Sequence, residues 1–570
     1  MKKSVKKKKN AAELPGTVYL CLLGIALPLT VHDAYFDITR TKATVFWILT
    51  GALLAAALLL LCLDREERAS LARPALPDWL FLVFALTQIL STLLFRDKPG
   101  GFLASDNRFQ GILSFALYPV AFLFLRRRGA LTPLVRFALL LGFSAAALLG
   151  VTELFGADLL GLRALSPERE LIRFLSTVGN ISFYSALCVL FLPLAAYYAL
   201  SAETPRAALA PALCALLALW GGMTSRAEGF VLGALAFFLL LPLLTKDARV
   251  LRRVPALWAL AALAALLFAA LMESRALYPP SELTRLLCSP RVMLPLFALC
   301  AALFWLLRRR DDAAILQARE VYIILFLLLL AAGLGFLLLA NTLLRERLHG
   351  PIAAVAVFSP SWGSDRGAEW ASFWQMFCAA PWPQKLIGSG AGSLAAWDSA
   401  HRLFSDAVTD SAHNEYLHYL LTGGLIGLAA YLALLFLALR RALRAPSRGR
   451  TALGLACAAY AVQAAVNLAQ PFTTPLFFAL LALLLRDGEA EGEEAKEGEG
   501  AIFLRVALCA LVLALLLGSS LSSRSISARR NAAHASPTAA SFGVEQSDFF
   551  DYNVDIESKN LDWQVFLWKT

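Results

Sequence analysis

The chain has 570 residues; 59% are hydrophobic, only 16% are charged, and the mean hydropathy is +0.65. A soluble globular protein of that length would need far more polar surface, so that class is excluded. The formal charge of +11 would point a soluble chain toward nucleic acid, but here the basic residues fall in short segments between apolar runs, where they set topology, and no nucleic-acid partner is expected.

Fifteen apolar runs follow one another, at about 15–31, 43–63, 78–95, 111–125, 131–152, 180–200, 207–222, 229–244, 254–272, 291–307, 320–340, 414–439, 452–470, 472–485 and 501–517. Most approach the ~20 residues that a helix needs to cross a bilayer, and a helix satisfies its backbone polar groups internally. The expected fold is all-α: a polytopic membrane protein with about 12–15 transmembrane helices and the lipid bilayer as its solvent. The runs at 111–125 and 472–485 are short for a full span. The first run, near Val18 to Leu29, lacks a small-residue cleavage site and is read as a retained helix. Most of the nine cysteines sit inside apolar runs, without metal spacing, and read as packing residues.

Lys2, Lys3 and Lys6 to Lys9 put the N-terminus inside. Counting alternately, Arg65 and Arg68, Arg126 to Arg128, Arg249 with Arg252 and Arg253, Arg308 to Arg310, and Arg440 with Arg441, Arg444, Arg448 and Arg450 also fall inside. The expected organisation is a basic cytoplasmic N-terminus (1–14), a transmembrane bundle (15–340) and a large extracytoplasmic loop (341–412). Then come further transmembrane helices (413–485), an acidic cytoplasmic linker (486–500), a final span (501–518) and an outer tail (519–570) expected to be largely disordered. A loop as long as 341–412 between spans is functional or a small subdomain. Its tryptophans, Trp362, Trp370, Trp374, Trp382 and Trp397, read by default as an interfacial belt and otherwise as platforms for sugars. All six histidines fall on the outer side or at its boundary.

Four arginines break the positive-inside trend. Arg108 precedes Gln110-Gly111 at a helix mouth; Arg173 precedes the segment Ser176 to Asn180; Arg226 lies in the short turn Thr224-Ser225-Arg226; Arg366 follows Ser364-Asp365 in the long loop. An arginine wedged between spans is costly unless it meets water, a partner or a ligand. Guanidinium forks match phosphate oxygens bidentately, so several at one face would clamp a diphosphate. The alternative is that each pairs with a lipid phosphate or a nearby carboxylate; Glu228 and Glu369 stand close in sequence to Arg226 and Arg366.

The run His413-Asn414-Glu415-Tyr416-Leu417 opens the apolar stretch after the long loop. The spacing predicts His413 in the first helical turn, on one face with Leu417, Leu420 and Gly424. Gly424 and Gly427 would let another helix approach. Histidine titrates near neutrality and can take a proton from an attacking hydroxyl; Asn414 would orient the ring or cap the helix. The alternative is an interfacial capping histidine. No His/Cys/Asp cluster has metal spacing, and no metal or cofactor is expected.

Together these residues resemble the O-antigen ligase/polymerase superfamily of multi-pass glycan transferases. His413-Asn414, nine residues, Gly424, two residues and Gly427 look like its histidine motif, and Gly388-Ser389-Gly390-Ala391-Gly392 like its glycine-rich loop stretch. Thr224-Ser225-Arg226 looks like its serine-arginine turn. Val178-Gly179-Asn180 resembles a Gly-Asn-Pro-Asn segment in which Ile181-Ser182 stand for Pro-Asn. The resemblance covers roughly Leu14 to Leu485. It implies a metal-independent glycosyltransferase of the cell membrane that takes a glycan from an undecaprenyl-diphosphate carrier, with its active site on the extracytoplasmic side. His413 would be the base, Arg226, Arg173, Arg366 and Arg108 the donor-diphosphate ligands, and Asn414, Gly424, Gly427 and Asn180 supporting residues. The acceptor, whether glycan, lipid or protein, stays open, as does the choice between ligase and repeat-unit polymerase. The rival from another class is a flippase for lipid-linked glycans, which would show repeats or discontinuous helices with deep ionisable residues.

Overall fold

Every apolar run folds as a helix, as a bilayer demands of backbone that cannot bond to water. The computed structural model describes residues 2–63, 74–95, 98–103, 108–165, 173–363, 365–401, 409–444, 446–488 and 499–535. The helices used below are α1 (Lys2–Leu29), α2 (Ile38–Leu63), α3 (Leu76–Phe95), α4 (Ile112–Arg128), α5 (Pro133–Leu154), α6 (Ile181–Leu200), α7 (Pro205–Thr224), α8 (Glu228–Leu244), α9 (Ala248–Arg275), α10 (Pro290–Leu307) and α11 (Asp312–Ala340). Within the long loop lie α12 (Arg366–Ala379), α13 (Trp382–Ile387) and α14 (Ser393–His401); then follow α15 (Glu415–Arg444), α16 (Arg448–Ala464), α17 (Thr473–Leu484) and α18 (Glu499–Ala535). One two-residue hairpin, β1 (Phe174–Leu175) against β2 (Gly179–Asn180), is the strand pairing among the described residues.

Eleven described helices are long and apolar enough to cross a membrane, so the chain is an all-α polytopic membrane protein. The other four runs form α4, α8, α16 and α17, of 17, 17, 17 and 12 residues. Three arginines, Arg126 to Arg128, end α4. The α16–α17 connection does not reach a surface: Asn467, Gln470, Thr473 and Thr474 are all buried in protein. Irregular backbone at membrane depth is tolerated where protein covers it.

The centre of the bundle is α6, with 94% of its span buried, against α7, α8 and α16. At the periphery, α10 and α11 are each 6% buried and lean on α9. Between them, α3 packs on α15, and Phe81, Phe84, Tyr118, Tyr419, Tyr431 and Phe478 lock α3, α4, α15 and α17 together.

At the end of the bundle bearing the arginine-rich connections, arginines are consumed by structure. Arg126 holds Asp78 through two bonds of 2.5 Å and Asp487 at 2.7 Å. Arg253 donates to the carbonyls of Leu200 and Ala202, and Arg319 to those of Pro242, Leu243 and Thr245. These are the orphan carbonyls of helix C-termini, where a cation is also favoured by the dipole.

The last helix passes the expected boundary at 518 and continues to Ala535; Ser523 anchors it by donating to the Leu160 carbonyl at 2.5 Å. Residues 536–570, most of the acidic stretch (489–498), Asp106-Asn107 and Ser364 lie outside the described residues.

Candidate active site

His413 does not belong to the helical turn that its spacing suggests. The helix begins at Glu415, and Asn414 caps it, its Oδ1 accepting from the amides of Tyr416 and Leu417 at 3.0 Å each. His413 stands before the cap with φ +44°, and α15 is broken at Gly424, so a single helical face through Leu417, Leu420 and Gly424 does not exist. The ring is set from another element. His413 Nδ1 lies 3.0 Å from Glu369 Oε2, in the first turn of α12. A carboxylate only accepts, so Nδ1 carries the proton of this bond, and in the neutral imidazole the lone pair is on Nε2. Trp370, one residue on, donates from Nε1 to the Ala412 carbonyl at 2.8 Å and fixes the strand of chain leading to His413.

The glycine spacing serves a socket. At Gly424 the backbone takes φ +70° and ψ −174°, and the helix breaks. The carbonyls of Leu421 and Thr422 accept instead from the loop amides of Ser389 (2.7 Å) and Gly390 (3.1 Å), and Thr422 also from Ser91 Oγ (2.7 Å). A Cβ on Gly388 would lie 2.1 Å from the Thr422 carbonyl oxygen, and one on Gly424 2.3 Å from that of Leu386. The partner at Gly424 is therefore a loop rather than a helix; at Gly427 it is α3, where a Cβ would meet Thr87 Oγ1.

Arg226 occupies the tight α7–α8 turn. Ser225 Oγ donates to the Gly222 carbonyl at 2.6 Å and accepts from the Ala227 amide at 3.2 Å, which leaves Arg226 at φ +56°. Its guanidinium lies 5.8 Å over the Tyr278 ring, and its buried Nε has no hydrogen-bond partner among the described residues. Burial lowers its pKa, opposing the charge. Arg366 is half-buried; burial lowers its pKa too, while the charges of Glu369 and Glu228 act the other way. Glu228 opens α8, two residues from Arg226, and Glu369 is the partner of His413, so the charges that act on Arg366 come from both elements. The first turns of α8 and α15 both rest on the end of α16: Gly229 against Gln463, and Tyr416 Oη donating to the Ala461 carbonyl at 2.5 Å.

The other two arginines differ. Arg108 holds Asp410 bidentately at 2.8 and 2.5 Å, so its fork is occupied by protein and clamps the segment before His413 to the mouth of α4. Arg173 is exposed beside the hairpin, and among the described residues its side chain has no bond to this group. Asn180 caps α6, accepting from the Ser182 amide at 2.8 Å. Sequence reasoning missed Glu369 as the partner of His413. It also missed Arg163, nearly buried, which donates to Tyr278 Oη at 3.3 Å so that Tyr278 joins two arginines. Arg163 lies in an expected outer segment, and the positive-inside rule applied to every arginine would have flagged it.

Backbone strain marks the same places. Six described non-glycine residues have positive φ: Ala34, Phe109, Ser176, Arg226, Asp365 and His413. All but Ala34 are, or stand within four residues of, Arg108, Arg173, Arg226, Arg366 or His413. Such conformations persist only where the surroundings over-determine them, and they gather at functional sites. Among the described residues no group of three or more His, Cys, Asp or Glu is arranged to hold a metal ion.

A family model described as O-Antigen ligase matches residues 290–432. That stretch runs from α10 past the break in α15 and includes Arg366, Glu369, the Gly388–Gly392 loop, His413 and Asn414. A comparison with curated proteins gave no match.

Proposed function

Since the chain belongs, through residues 290–432, to the O-antigen ligase/polymerase superfamily of membrane enzymes, we propose that it transfers a glycan from an undecaprenyl-diphosphate carrier to an acceptor hydroxyl at the outer face of the cytoplasmic membrane. The observation that carries this reading is the His413–Glu369 pair, ahead of a helix whose first turn rests, like that of α8 after Arg226, on the end of α16, with Arg226 a cation whose buried Nε has no partner among the described residues. His413 Nε2 takes the proton of the acceptor hydroxyl, and Glu369 stabilises the imidazolium that forms. The acceptor oxygen bonds to the anomeric carbon as the bond to the diphosphate oxygen breaks. The diphosphate leaves with the electron pair, already ionised, so no general acid is needed. Arg226 and Arg366 stabilise the charge that grows on it.

Deletion of the gene tests the reaction and its type. Full-length carrier-linked glycan that stays unattached supports a ligase; an altered chain length supports a polymerase; no change in lipid-linked glycan removes both. Arg226→Lys keeps the charge and loses the fork, and a roughly 10- to 100-fold loss in kcat/KM is expected. Wild-type turnover by this variant would argue against bidentate diphosphate binding.

Orientation has its own test. Cys378 is exposed on α12, and Arg309 on the α10–α11 connection. In a cysteine-free background, Cys378 restored alone should react with an impermeant maleimide on spheroplasts. Arg309→Cys should react only after permeabilisation. Labelling of both from one side would break the proposed topology.

A further inference from the structure

The loop tryptophans divide by environment. Trp362 and Trp370 pack on each other at 5.3 Å, while Trp374 and Trp382 are 53% and 71% exposed. Trp397 is different: with Phe95, Met376, Gln384, Ser389 and Ser393 it lines a cavity of about 390 Å³ between α12, α13, α14 and the end of α3. Small-molecule pockets run from ~300 to ~1,000 Å³ and are mostly apolar with a few placed polar groups, so this one has room for about one or two sugar rings.

Two of its lining residues carry buried polar atoms that are unmet among the described residues: the Oγ of Ser393, which is 4% exposed, and Trp397 Nε1. Folds seldom leave such groups unmet. His401 stacks on Trp397 at 3.8 Å and fixes the plane of the indole. The cavity lining also packs against the chain that leads to His413. Trp397 and Met376 pack with Phe373, Leu394 and Ala412, the residue before His413. Along α12, Met376 is seven residues beyond Glu369, about 10 Å, and ten beyond Arg366, about 15 Å, at the rise of a helix.

We infer that this cavity is a glycan subsite, which holds a sugar ring of the donor or acceptor chain near the indole of Trp397, with its hydroxyls met by Ser393 Oγ, Trp397 Nε1 and Gln384. An indole presents a broad apolar face and one donor, which suits the CH face and hydroxyl rim of a pyranose. A membrane belt would instead leave the ring exposed, as that of Trp382 is. The inference rests on the transferase reading and adds where the saccharide is gripped, away from the diphosphate arginines.

The test titrates the full chain in nanodiscs with two saccharide probes. One is the glycan released by mild acid from the cell's own polyprenyl-linked pool. The other is the delipidated glycan of surface glycolipids from cells lacking the chain. Wild type and His413→Ala should bind one probe equally, and the probe that binds assigns the ring to donor or acceptor. Trp397→Ala should weaken binding by about ten-fold or more, and Ser393→Ala by roughly three- to ten-fold. Because Trp397 also packs within the loop, Ser393→Ala and Trp397→Phe are included; both should keep the wild-type melting temperature while losing affinity. Unchanged affinity in Ser393→Ala and Trp397→Ala, or failure of wild type to bind either probe, overturns the subsite. Binding is read without turnover, so a wild-type protein that binds glycan at Trp397 yet transfers none would sink the transferase reading alone.

Discussion

His413→Ala is expected to lower glycan transfer by about 10²- to 10⁴-fold while leaving membrane insertion and donor binding near wild type. The side chain is 32% exposed and its hydrogen bond goes to Glu369, so its removal opens no core and uncaps no helix. What is lost is the lone pair on Nε2. Glu369→Gln should fall between this variant and wild type, at roughly ten-fold or more in kcat with donor KM little changed, because an amide can still meet Nδ1 but does not stabilise an imidazolium. The double variant should be no slower than His413→Ala, since residues acting as one unit are not additive. Turnover of purified protein with lipid-linked donor decides this. Full activity in His413→Ala removes it as the base; losses that multiply in the double variant give Glu369 a separate role.

Gly424→Ala and Gly388→Ala should each abolish activity without touching a reactive group. Both glycines hold left-handed φ, +70° and +92°, and in each case the added Cβ would run into backbone, which cannot rotate aside. The conformational strain alone is of order 1–3 kcal/mol. The expected outcome is an undocked loop: a lower melting temperature and new proteolysis near residues 386–392. Gly427→Ala should be milder, because its obstacle is the tip of the Thr87 side chain, and Gly333→Ala, which opens onto free space, should be near neutral. The two severe variants combined should lose little more stability than either alone, since they break one interface. A stable, active Gly424→Ala protein would show that the socket is dispensable.

The sequence reading reached the apolar runs, and it singled out His413 and Arg226 as candidates, because each signal is local: hydropathy over a window, a histidine after a polar loop, a charge out of place. It did not reach Glu369 as the partner of His413, forty-four residues away, because only the fold of the loop sets that distance. The same limit explains Arg163 and Tyr278, which meet through packing of the segment after α5 against the one after α9. The face through His413 and Gly424 failed for a different reason: helical periodicity holds only where the helix is unbroken, and a glycine with positive φ is a break that spacing does not reveal. Arg108 shows the converse limit. Its position in the sequence is as irregular as that of Arg226, and only the bidentate bond to Asp410 separates a clamp on the chain from a cation with an unmet donor.

The socket at Gly424 also sets a population. Three bonds hold the glycine loop there: Ser389 N to Leu421 O, Gly390 N to Thr422 O, and Ala391 N to Thr92 Oγ1. At about 1 kcal/mol net for each, the lifted state is rarer than the docked one by roughly a hundredfold. The glycine loop is thus docked nearly all of the time. The breathing that admits and releases a long-tailed substrate then falls to elements with little to lose by moving, and α10, 6% buried and packed mainly on α9, is such a span.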